Sequence, residues 1–93
     1  PKASFTFNKT SAEVGDTITA TSTSTDADGD DLTLTWRLFK PNGSNTILTY
    51  NSDKTIATFT PDKEGSYTLF LNVGDGSDYN NVSKSINIKK VYT

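Results

Sequence analysis

The sequence predicts an all-β fold, an antiparallel β-sandwich of about seven short strands. Three observations lead there. Threonine alternates with apolar residues at the strand period of two, and no stretch sustains a helical period. Clusters of Gly, Pro, Asn, Asp and Ser cut the apolar runs at short intervals. The chain has 93 residues and no cysteine, so one modest core must hold by packing alone.

The elements follow in order. "ASFTF" turns Ala3, Phe5 and Phe7 to one side, and "DTITATSTS" buries Ile18 and Ala20 while Thr17, Thr19 and Thr21 face water. "LTLTWRLF" offers Leu32, Leu34, Trp36 and Leu38, whereas "NTILTY" and "TIATFT" are shorter and less decisive. "SYTLFLNV" offers Tyr67, Leu69, Leu71 and Val73, and "SKSINIKKV" offers Ile86 and Ile88. The breaks are Val14-Gly15-Asp16, Asp28-Gly29-Asp30, Pro41-Asn42-Gly43-Ser44, the run from Pro61 to Gly65, and Gly74-Asp75-Gly76-Ser77. The fold is predicted as one domain over 1–93.

Three residues sharpen the architecture to an immunoglobulin-like one. Trp36 stands on the third long run, in phase with Leu34 and Leu38, where such sandwiches bury a tryptophan. Asp62-x-x-Gly65-x-Tyr67 reads as a tyrosine corner, its phenol bonded back to the turn. Leu69, two residues on, occupies the place of an inter-sheet cysteine, facing Ile18 or Ala20. Trp36, Tyr67 and Leu69 are therefore core residues, and a sugar-stacking role for Trp36 is set aside.

Composition excludes several classes of function. A net charge of −2 gives no attraction to nucleic acid. With neither His nor Cys, zinc sites, thiol nucleophiles and Ser-His-Asp triads cannot be assembled. No apolar run is long enough to enter a membrane. Glycoside hydrolysis by paired carboxylates needs a cleft and one raised pKa, which loop-tip aspartates do not provide. The chain begins at Pro1 and lacks Met, so it reads as a module excised from a longer protein.

Four segments, taken in order, resemble the PKD family, the immunoglobulin-like module named for the polycystic kidney disease protein. "PKASF" is similar to its opening, and "VGDTITATSTSTDADGDDLTLTW" to its Val-Gly-Asp, strand, acidic loop and tryptophan strand. "FTPDKEGSYTLFLNVGDG" is similar to its tyrosine-corner segment. "WRLFKPNGS" departs from the common Trp-Asp-Phe-Gly-Asp-Gly and is closer to the subgroup with Trp-x-Leu…Pro-x-Gly-Ser. The resemblance implies a non-catalytic extracellular module, secreted or at the cell surface. Its parent would be a glycoside hydrolase, protease or adhesion protein, and its partners the neighbouring domains of the same chain, with polysaccharide or surface-protein contact as a further role.

Two sets of candidate site residues emerge. The first is acidic. Immunoglobulin topology gathers the loops "TDADGDDL" and "GDGSDYNN" at the N-terminal end, so Asp26, Asp28, Asp30 and Asp75 are candidate calcium ligands. An EF-hand is excluded because Gly29 is fourth from Asp26 and the twelfth position is Arg37. Calcium takes six to eight oxygens in flexible geometry, so carboxylates from two loops with nearby carbonyls are a workable set. The resemblance adds that some PKD-like modules of secreted proteases bind calcium near the positions of Asp26 and Asp28. A water-facing Asx turn is the competing reading. Side-chain charge comes to −5 at this end and +1 at the other, so the domain is electrically polarised.

The second set is a surface. Phe39 and Phe70 fall out of phase with the core and share an outer sheet face with Arg37. They are either scattered exposed apolar residues or a contact patch for a carbohydrate or protein. Asn8-Lys9-Thr10, Asn42-Gly43-Ser44 and Asn81-Val82-Ser83 fit the glycosylation pattern, and an Asn/Ser/Thr-rich chain also produces such triplets by chance. Two functions compete: a spacer and orienting module, and a binding module docking through that outer face.

Overall fold

A computed structural model describes residues 1–29, 31–41, 48–90 and, as backbone, 45–46. Among these residues there are nine strands and no helix. They are β1 (Phe5–Phe7), β2 (Ser11–Glu13), β3 (Ile18–Ser22), β4 (Thr33–Phe39), β5 (Asn45–Thr46), β6 (Thr49–Tyr50), β7 (Ile56–Phe59), β8 (Gly65–Gly74) and β9 (Tyr79–Lys89). One sheet has the order β1-β3-β7-β6 and the other β2-β9-β8-β4-β5. This is the strand order of an immunoglobulin-like sandwich. The expected count of about seven rises to nine because "NTILTY" holds both β5 and β6, and because β2 lies in a stretch where the sequence predicts no strand.

The break between β1 and β2 has a local cause. Asn8 donates its N–H to the Thr19 carbonyl at 2.9 Å, and its side-chain Oδ1 accepts the Thr19 N–H at 2.8 Å. That side chain uses up the donor at which β1 would continue along β3, so the chain leaves the first sheet. It then joins the second, where β2 runs parallel to β9, with Ser11 opposite Asn87 and Glu13 opposite Lys89. The other strand pairs are antiparallel, so the sandwich is antiparallel apart from this short edge.

Alternation delivers the core. Phe5, Ile18, Ala20, Ala57 and Phe59 point inward from one sheet and Leu34, Trp36, Leu38, Tyr67, Leu69, Leu71, Val73, Ile86 and Ile88 from the other. No polar or charged residue is buried among the described residues. Each fully buried Leu, Ile, Val or Phe contributes ~1.5–3 kcal/mol relative to exposure. Leu69 is fully buried, as are Ile18 and Ala20 across the sandwich, so apolar packing stands where a disulfide would.

Both aromatic anchors satisfy their polar ends at the rim. The Trp36 indole N–H donates to the Lys54 carbonyl at 2.7 Å, and its ring meets Phe5 edge-on at 5.3 Å between centroids. Tyr67 Oη accepts the Lys63 N–H at 3.3 Å and lies 3.4 Å from Asp62 Oδ1, closing the tyrosine corner. Gly65 begins the strand after that corner with φ of +130°, and a Cβ there would lie 2.5 Å from Pro41 Cγ.

The molecule measures about 51 × 22 × 20 Å. Lys2 bridges to Thr25 at one end, beside the 25–32 loop. Lys89 lies at the other, its carbonyl accepting the Val14 N–H at 2.9 Å. Residue 1 and residue 90 are thus at opposite poles.

Two substitutions test this packing. Trp36 is only 4% exposed, so its emission is expected to be blue-shifted, and Trp36→Ala to cost ~3–5 kcal/mol in chemical denaturation. Gly65→Ala is expected to lower the melting temperature more than Gly29→Ala. Gly29 shares the positive φ, but its missing Cβ would meet nothing within 4 Å.

Candidate functional site

The acidic end is built from two turns brought together by β4 and its neighbour. Thr33 pairs with Gly74, and Gly74 with Tyr79, so the 25–32 and 74–79 loops leave the same edge of the sheet. In the first loop, Asp26 Oδ1 accepts the Asp28 N–H at 2.8 Å and the Asp26 carbonyl accepts the Gly29 N–H at 3.1 Å. In the second, Asp75 Oδ1 accepts the N–H groups of Ser77 at 2.8 Å and Asp78 at 2.7 Å. Both are Asx-type turns, in which a short acceptor holds its own loop closed.

Asp26 differs from the rest. Its side chain is 4% exposed, and Oδ2 is buried without a hydrogen-bond partner, 3.9 Å from the Pro1 nitrogen. That ammonium is its ion-pair partner, and a carboxylate oxygen withdrawn from water without a hydrogen bond still costs free energy. Asp75 is its acidic neighbour. The N–H groups of Asp78 and then Ser77 hold the Asp75 carboxyl below its ordinary value, and the Asp26 side chain and the N-terminal charge act in the same direction.

The expected set of four aspartates separates on inspection. Asp28 is exposed, and its backbone, rather than its carboxylate, serves Asp26. Asp30 lies outside the described residues. Among the described residues, no three acidic groups stand together as a metal-binding cluster. Asp26 and Asp75 are the pair that the fold brings together. Asp53 lies in another turn, where the Thr55 hydroxyl and N–H bond its Oδ1 at 2.7 and 3.1 Å and hold its carboxyl below the ordinary value.

The outer face of the five-stranded sheet forms as its phase requires. Arg37 stands directly opposite Phe70, and Phe39 opposite Thr68, so the two rings are diagonal neighbours. Thr35, Arg37, Phe39, Phe70 and Asn72 line one open groove of about 380 Å³. Both phenyl rings are half-buried. Asn81 is exposed on β9 opposite Asn72, whereas Asn8 is spent on Thr19 and Asn42 lies outside the described residues.

Four features were missed in the sequence. Lys84 stands in an inward phase opposite Leu69, donating its ammonium to the Phe5 carbonyl at 2.7 Å, 5.4 Å from the Phe5 ring centroid. Its charge gave no sign of this, but its place two residues before Ile86 in "SKSINI" fixes the phase. Asn80 Oδ1 accepts the Ala3 N–H at 2.7 Å, a contact between chain ends with no sequence signal. Tyr79 is exposed yet lies over Gly74, where a Cβ would be 2.7 Å from its ring. Asp26 looked like any other aspartate of its loop.

No family model matches this chain, and no curated protein matches it.

Asp53 and Asp75 contribute to the acid response. A carboxyl whose folded pKa is depressed adds stability above its ordinary value of 3.8, and that stability is lost as pH falls through the folded value. Denaturation midpoints are therefore expected to drop below about pH 4. Asp53→Asn with Asp75→Asn, which keeps an acceptor in each turn, should flatten that drop.

Proposed function

We propose that this chain is a non-catalytic, PKD-type accessory module of a secreted or cell-surface modular protein, which spaces and orients the domains on either side. One observation carries the reading: the chain enters at one pole and leaves at the other, across a rigid sandwich whose longest dimension is about 51 Å. A ten-residue strand such as β8 spans ~33 Å. The polar, charged ends and apolar interior suit a segment that holds a distance. The neighbouring domains of the same chain are its partners in this reading.

The test is to delete residues 1–90 from the parent protein and follow its maximum dimension by small-angle scattering. The spacer reading expects a shorter particle whose other domains keep their own activities. An unchanged dimension, or turnover of substrate by the isolated module, overturns it.

A second reading is favoured by Asp26. Its buried Oδ2, which has no hydrogen bond and faces only the Pro1 nitrogen, is where a calcium ion would gain most at the entry pole, with Asp75, loop carbonyls and water completing the oxygen set. Two carboxylates make a weak site, and its effect is to stiffen the junction with the preceding domain. Millimolar calcium is expected to raise the melting temperature, and magnesium is not, because it demands tighter octahedral geometry. Asp26→Asn should abolish the rise. A calcium titration that leaves both the melting temperature and the loop resonances unchanged makes the stretch a solvated turn.

A further inference from the structure

We infer that the open edge of β9 is a self-pairing site, where a second copy of this chain adds antiparallel to residues 79–85. Two domains then share one continuous sheet. The inference goes beyond the spacer reading, because it concerns a flank of the sandwich rather than either pole.

Strand β9 runs from Tyr79 to Lys89 and pairs with β8 along nearly its whole length. Its other side meets β2 only at Asn87, Ile88 and Lys89. Residues 79–85 therefore form an edge with no strand beside it among the described residues. Two bonds fix which backbone groups point there. The Lys89 carbonyl accepts the Val14 N–H on the β2 side, whereas the Asp78 carbonyl accepts the Asp75 N–H on the β8 side. The two directions alternate along a strand, so Tyr79, Asn81, Ser83 and Ser85 turn both N–H and C=O to the open edge. No hydrogen bond reaches those groups among the described residues.

The other edges are shorter or covered. β5 and β6 have two residues each, and β1 and β2 three. The outer side of β1 is bridged within the domain, since its neighbour Ala3 donates to Asn80 Oδ1 and the Phe5 carbonyl accepts from Lys84. β4 pairs with β5 only from Leu38, but before that point the Tyr50 hydroxyl caps the Trp36 carbonyl at 3.3 Å.

Exposed edges are ordinarily guarded by proline, a bulge or charges. Residues 79–85 contain no proline and one charge, Lys84. Lys84 stands in the inward phase, its ammonium held on the Phe5 carbonyl at 2.7 Å. The outward side chains, Tyr79, Asn81, Ser83 and Ser85, are all uncharged. Tyr79 is 72% exposed, more than any other large apolar side chain among the described residues.

This edge is complementary to itself. In an antiparallel pair, groups aimed at the partner must meet groups aimed back. The register that uses the whole edge has its two-fold axis at Val82. It sets Tyr79 against Ser85 of the second copy, Asn81 against Ser83 and Val82 against Val82, so every outward N–H and C=O finds a partner. Lys84 falls opposite Asn80, and no like charges meet. An axis at Ser83 would require Asn87, which β2 already holds. A two-fold contact closes on itself, so the product is a dimer.

Charge favours the same arrangement. The antiparallel direction carries the 75–78 turn of one copy, with Asp75 and Asp78, toward a groove of the other that contains Lys9, Lys84 and Ser85. Lys9 is held there only by an exposed pair with Asp16 at 3.6 Å. Beyond the groove, Lys89 on β9 and Glu13 on β2 stand opposite one another and balance. A single strand edge falls short of the ~800 Å² per partner of a stable interface, so the association is weak and concentration-dependent.

The experiment is sedimentation velocity of the 93-residue chain from about 10 µM to 1 mM, with amide hydrogen exchange at both ends of that range. A monomer–dimer equilibrium is expected. Asn81, Ser83 and Ser85 should gain protection in the concentrated sample, and Leu34 and Trp36 on the β4 edge should not. Ser83→Pro removes an outward donor while sparing the β8 ladder, and should weaken association about 10-fold or more. Asn81→Lys with Ser83→Lys should abolish it, because the register sets those lysines face to face. Asn81→Lys with Ser83→Asp should restore it. Both positions are exposed, so the charge variants keep the test valid if Ser83→Pro fails to fold. The inference is overturned if the chain stays monomeric at about 1 mM, or if dimers form without added protection along residues 81–85. It is also overturned if the double-lysine variant still associates, or if the lysine–aspartate variant does not.

Discussion

The two sheets meet without any covalent link, and the structure depends on the apolar seam between them. Leu69, Ile18 and Ala20 are fully buried there. Trp36 extends the seam by packing edge-on against Phe5 and bonding the Lys54 carbonyl, so that one side chain joins β4, β1 and the turn before β7. Such a seam tolerates no unpaired polar group, and among the described residues none is buried within it. The polar groups that come close, Tyr67 Oη and the Lys84 ammonium, reach backbone partners at the rim.

That constraint also disposes the surface. Since the interior accepts no charge, the described carboxylates, apart from Glu13 on the exposed side of β2, lie in loops or turns, and antiparallel connection places those loops at two ends. The carboxylates then serve as local acceptors: Asp26, Asp53 and Asp75 each bond a backbone N–H two residues along. The acidic pole is thus first a set of turn devices. Asp26 goes further, because its second oxygen is enclosed without a hydrogen bond and faces the Pro1 nitrogen. The sheet faces carry few charges and are left mostly to threonine, serine, asparagine and a few rings.

The sequence alone determined the fold class, the core and the outer-face pairing. Period-two alternation is a local property, and once a strand has one buried face its phase assigns Trp36 and Leu69 inward and Arg37, Phe39 and Phe70 outward. Turn residues marked the breaks for the same reason, since glycine and aspartate act within a few positions of themselves. Only the tertiary structure decided what depends on residues distant in the chain. It carried the residues after the first run, as β2, to a parallel edge on β9, because Asn8 closes its own ladder on Thr19. It turned Lys84 over Phe5, 79 residues away, and it paired Asp26 with Asp75 while leaving Asp28 outside. Aspartates of one loop are alike in sequence; enclosure by a neighbouring loop and the chain's first residues is what sets one apart.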